Sequence, residues 1–228
     1  MTGWQEHLER ETGRYEHGES RLGDSEDEPR QRRLARLGNA AWGAGLSALM
    51  LGRREDAAAW FDRAATRYRE SWNEAPPGSW GRPIAVLKVR LLAGDGDSAG
   101  ILAHAEEAAR WALTTGCVEA ESPIGRYAGV LALLVLGRDG DALPVARSLQ
   151  SADGFPPAVA AALVGLAAGD RAGAAAALEA VLVSFETRDS FLEDVPVADT
   201  VLCLHALAAA RWPVAPLRES ALLPPMLS

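Results

Sequence analysis

Asp95, Asp97, Gly100 and Glu106 stand in the stretch DGDSAGILAHAE (95–106) at the spacing of a calcium-binding loop, whose carboxylates encircle the ion while the last Glu closes the shell. The fifth loop position must supply an oxygen, and here it is Ala99. The stretch is therefore expected to be a solvated turn between helices, with no metal. A second group of acids, Glu186, Asp189, Glu193, Asp194 and Asp199 in FETRDSFLEDVPVADT (185–200), has the residue types for metal binding or for paired acid–base work. Arg188 lies among them, no histidine accompanies them, and they surround a helix break, where Asp and Glu favour the start of the next helix. Capping and inter-helix salt bridges are the expected roles. His7, His17, His104 and His205 form no HExxH and no pair at helical spacing, and neither Cys117 nor Cys203 has a nearby histidine. Gly94, Gly96 and Gly100 precede no Lys-Ser/Thr, so a phosphate loop is excluded. No catalytic residue, no metal site and no cofactor is expected.

The feature that repeats is basic. SWGRPI (79–84) and SPIGRY (122–127) each place a Gly-Arg pair near a predicted helix start, bringing Arg82 and Arg126 to equivalent positions. A guanidinium fork suits carboxylates, and Tyr127 beside Arg126 offers a stacking face. By contrast, the aromatics Trp60, Phe61, Tyr68 and Trp72 recur along one helix side, the pattern of a core.

Four passages supply the elements that must position these residues. Each has an apolar helical run, a Gly, a short charged turn, an Ala and a second helix: ALMLGRREDAAAWFDRA, VRLLAGDGDSAGILAHAEEA, LLVLGRDGDALPVARSL and GLAAGDRAGAAAALEAV. The turn glycines 52, 94, 137 and 169 are spaced 42, 43 and 32 residues apart, a self-similarity that predicts stacked helical hairpins. Each Gly can take the left-handed conformation that closes a helix. Ala57, Ala99, Ala142 and Ala174, five residues on, allow the second helix to approach the first closely. Ser79 and Ser122 are placed to cap the helices that follow, and Pro123 suits a first helical position.

The first hairpin resembles a tetratricopeptide repeat (TPR). Gly45, Gly52, Ala57, Phe61 and Ala64 fit that family's small and aromatic positions, whereas later passages keep only the turn Gly and the following Ala. The resemblance spans about 34–185 and implies an all-α, right-handed α-α solenoid of TPR-like hairpins in a single array. It divides the chain into a polar N-terminal helical segment and linker (1–33), a repeat domain (34–212) and a C-terminal capping tail (213–228). In such a solenoid the first-type helices line the concave surface, so Trp42, Arg82, Lys88, Arg126 and Tyr127 are the expected partner-binding residues. The implied function is a non-catalytic scaffold that holds a protein or peptide, such as an acidic or C-terminal segment, with homo-oligomerisation also open. An immunity-type protein or inhibitor masking a toxin or enzyme is a second reading. An all-α metal-dependent hydrolase using the 186–199 carboxylates is a third.

Composition narrows the partners. The 228 residues carry a formal net charge of -8, so no global field draws nucleic acid or an anionic membrane. The N-terminus MTGWQEHLERETGRYEHGE lacks the apolar core of a signal peptide. The longest apolar runs, YAGVLALLVLG and PAVAAALVGLAAG, are shorter than a membrane span and read as buried helices. Two widely separated cysteines without a framework agree with a reducing cytoplasm.

Overall fold

Apolar residues on every side of a helix require neighbours on every side, and the sequence ARLGNAAWGAGLSALM meets that demand between two other helices. The computed structural model describes residues 3–23, 28–94 and 98–225. Among these are ten α-helices and no strand: α1 (Gly3–Ser20), α2 (Arg30–Met50), α3 (Arg54–Glu74), α4 (Gly81–Ala93), α5 (Ser98–Thr114), α6 (Pro123–Val135), α7 (Asp139–Gln150), α8 (Pro157–Ala168), α9 (Arg171–Glu186) and α10 (Asp199–Ala209). The chain forms two compact units. One comprises Met1–Ala93, Asp189–Val197 and Pro216–Ser228; the other comprises Gly94–Arg188 and Ala198–Ala215.

In the first unit α1 packs on α2, α2 on α3 and α3 on α4, and a short 3-10 turn, Leu192–Asp194, rests on α2. α2 is buried continuously from Ala40 to Met50 because α1 and α3 cover it from two directions. α3 buries one side only: Ala57, Phe61, Ala64, Ala65, Tyr68 and Ser71, at helical spacing. Glycine makes the close α2–α3 contact possible. A Cβ on Gly45 would lie 2.5 Å from the Phe61 ring, and one on Gly38 would lie 2.9 Å from the Tyr68 ring.

The second unit continues the neighbour-on-neighbour order from α5 through α9, and α10 packs against α5, α8 and α9. α6 and α8 are its most buried helices; their apolar runs end at a solvent-exposed turn. Ala142 and Ala174 are buried where α7 and α9 meet their preceding helices, as Ala57 is in the first unit. The side chain of Ala99 lies outside the described residues. No described helix is long and apolar enough to cross a membrane.

Three of the four turn glycines have the expected left-handed backbone: Gly52, Gly137 and Gly169, with φ of 74°, 67° and 70°. At the first of these, Gly52 N–H donates to Leu49 O at 3.0 Å and Arg53 N–H to Ala48 O at 2.9 Å, the paired bonds of a Schellman closure. Gly94 differs. It has no left-handed φ, and a Cβ there would lie 2.5 Å from the Ile101 Cα, so this glycine serves backbone proximity at the start of α5. The serines also differ from expectation. Ser122 makes no side-chain cap bond, and the Ser79 hydroxyl donates to Pro76 O at 2.7 Å, while Pro123 does open α6.

Candidate functional site

Arg82 stands in the first turn of α4 and Arg126 in the first turn of α6, one in each unit. Both are half-buried. Arg82 Nε donates to Ser71 Oγ at 2.8 Å and Nη2 donates to Gln31 Oε1; Arg126 Nη1 donates to Ser148 Oγ at 3.1 Å. The two serines are set in the same way. Ser71 Oγ donates its proton to Gln31 O at 2.6 Å and Ser148 Oγ to Val145 O at 2.7 Å, which turns each hydroxyl's lone pairs toward the arginine. Among the described residues neither guanidinium has a carboxylate partner. Burial without a counter-charge holds the Arg82 pKa below the ordinary guanidinium value. The Arg126 Nε is buried with no hydrogen bond. Among the described residues, the salt bridges that would make both arginines purely structural are therefore not found.

The other three expected residues face inward. Lys88 is 7% exposed and Trp42 6% exposed, with Lys88 Nζ 5.1 Å from the Trp42 ring centroid. This cation–π contact is worth about 0.5–2 kcal/mol when desolvated. Tyr68 also meets Trp42 edge to face. In the second unit Tyr127 packs edge to face on Phe155, and its hydroxyl is buried with no hydrogen bond. Burial raises the Tyr127 pKa well above the phenol value, with Cys203 and Asp199 acting in the same direction. These three residues are buried and do not themselves present a surface.

The acidic stretch is divided among structural tasks. Glu193 pairs with Arg14 and accepts from Asn39 Nδ2 at 2.8 Å, while its carbonyl accepts from Arg10 Nη2 at 2.8 Å. Asp199 begins α10 and accepts from Thr200 N–H at 2.7 Å. Of the calcium-loop pattern, Asp95 and Asp97 lie outside the described residues, and Glu106 pairs with Arg110 one turn on. No group of three His, Cys, Asp or Glu among the described residues could hold a metal ion. Cys117 and Cys203 are free and buried, and burial raises the Cys117 pKa.

One basic feature escapes a reading by motif. α1 and α2 enclose a cleft of about 380 Å³ in the first unit, lined in part by Arg14, His17, Arg21, Arg33 and Arg36. The basic run after Pro29 is visible in the sequence as a helix start. The arginines of α1 and its following turn carry no spacing that joins them to it.

Searches of protein-family models, curated proteins and solved structures give no match to this chain.

Proposed function

We propose that the protein is a non-catalytic interaction scaffold: a right-handed solenoid of TPR-like hairpins that holds an anionic segment of a partner protein, such as an acidic stretch or a C-terminal carboxylate. The observation that carries this reading is the shared state of Arg82 and Arg126. Each stands at the start of a first-type helix, oriented by a serine hydroxyl and lacking a carboxylate partner among the described residues. A half-buried guanidinium bound only to neutral groups has lost part of its hydration without gaining an ion pair, so an incoming carboxylate finds a donor already oriented and partly desolvated. The helix-after-helix packing within each unit is compatible with stacked hairpins. Arg82 in the first unit and Arg126 in the second would each offer a partner's acid such a donor, while Trp42 and Lys88 in the first unit and Tyr127 in the second are buried packing residues.

The test is affinity capture by the full chain from a lysate of its own source, with quantitative mass spectrometry, run beside Arg82→Ala/Arg126→Ala. Loss of a buried charge-assisted contact should weaken the captured partner's binding by about 2–5 kcal/mol, against well under about 1 kcal/mol for an exposed arginine. Circular dichroism and melting should stay as in the parent. A partner bound with unchanged affinity by the double variant rules out both arginines as its contacts.

A further inference from the structure

The cleft between α1 and α2 carries an unbalanced positive charge. Four guanidiniums line it, from Arg14, Arg21, Arg33 and Arg36, with Leu37 among the apolar part of the wall. Two are neutralised: Arg14 by Glu11 and Glu193, Arg36 by Glu28. Arg21 and Arg33 have no carboxylate partner among the described residues. Arg33 Nη1 makes only a long bond, 3.5 Å, to Arg21 O, and its Nε is buried with no hydrogen bond. The first turn of α2 adds no acid to the cleft and Pro29 offers no side-chain cap, while Glu28, just before it, is engaged by Arg36.

We propose that this cleft binds a small organic phosphate monoester, with the phosphate between Arg21 and Arg33 and the carbon skeleton against Leu37. Charge selects the class. Two uncompensated guanidiniums match a phosphate monoester, which carries about -1.5 to -2 at neutral pH, whereas a single carboxylate would leave one cation unbalanced. Size agrees, since about 380 Å³ lies within the range of pockets that enclose small organic ligands. This site shares no residue with the Arg82 and Arg126 positions, so it stands or falls separately from the partner-binding reading.

Calorimetric titration of the full chain with phenyl phosphate at low salt is the test. A single site is expected, with benzoate failing to compete at the same concentration. Arg33→Gln and Arg21→Gln should each weaken binding about tenfold or more, the loss of a hydrogen bond to a charged group. Arg110→Gln, which alters an exposed pair on α5, should change nothing. Arg21 is exposed in the turn after α1, so its variant keeps the test valid even if Arg33→Gln disturbs folding. No binding at millimolar phenyl phosphate, equal binding of benzoate, or full affinity in both arginine variants overturns the proposal. Binding that emerges only after Asp24→Asn, Glu26→Gln and Asp27→Asn also overturns it, because the chain's own acids would then be the occupants.

Discussion

A phenol buried without a protein partner gives up its hydrogen bonds to water and regains none, at a cost of about 1–3 kcal/mol. Tyr127 is in that state, with its ring packed on Phe155 and its hydroxyl unbonded. Arg126, its neighbour in sequence, is instead held by Ser148 at the edge of the same unit. The two residues, alike as candidates in the sequence, have opposite situations: one is a core ring and the other an oriented cation. Tyr127→Phe keeps the ring contacts and removes the unpaired oxygen. Its stability should equal or exceed that of the parent by up to about 1 kcal/mol in urea denaturation. A loss above about 1 kcal/mol would mean that the hydroxyl has a partner in solution.

At the scale of the helical hairpin, two glycines of the α2–α3 corner are required for different reasons. Alanine in place of a mid-helix glycine normally stabilises by about 0.5–1 kcal/mol. At Gly45 the sign should reverse, because the added Cβ would lie 2.5 Å from the ring of Phe61, which is fully buried and has nowhere to move. Overpacking of this kind costs about 1–3 kcal/mol, which outweighs the propensity gain. Gly52, at φ 74°, has no atom within 4 Å of a built Cβ, so Gly52→Ala carries only the backbone penalty of about 1 kcal/mol or somewhat more. A double-mutant cycle separates the two. Phe61→Leu should recover part of the Gly45→Ala loss and none of the Gly52→Ala loss; equal coupling in both would refute the packing explanation.

At the scale of the whole molecule, chain distance and packing distance part company. The segment Asp189–Val197 follows the last hairpin in sequence and yet belongs to the unit built from α1 to α4. Glu193 is its anchor, bonded to Arg14, Asn39 and, through its carbonyl, Arg10. Glu193 and Asp194 adopt φ of 50° and 57°, left-handed values that side-chain-bearing residues rarely hold unless their surroundings impose them. Glu193→Ala removes the side-chain bonds and keeps the strain, and should destabilise by about 1–3 kcal/mol. Glu193→Gly removes both, and should be less harmful than Ala by up to about 1 kcal/mol. Matched urea melts of the two variants decide; equal losses would leave the strain without energetic weight.

The sequence by itself determined the helices and their corners. Apolar periodicity, turn glycines and buried alanines are local signals, and they act within one or two turns, so α2 and α3 with Gly52 and Ala57 between them could be read directly. Of the aromatic stripe expected as core, Phe61 and Tyr68 are buried, whereas Trp60 and Trp72 are only half-buried. Gly94 was legible as a glycine but not as a contact, since its need for Ile101 arises only when α5 folds back beside it. Tertiary structure alone decided which charges would be balanced. Glu193 found Arg14 across some 180 residues, Arg82 and Arg126 found serines instead of acids, and Arg21 and Arg33 were left to share a cleft. A charge in a sequence is fixed by residue type, but its counter-ion is fixed by distance in space, and Coulomb attraction does not register separation along the chain.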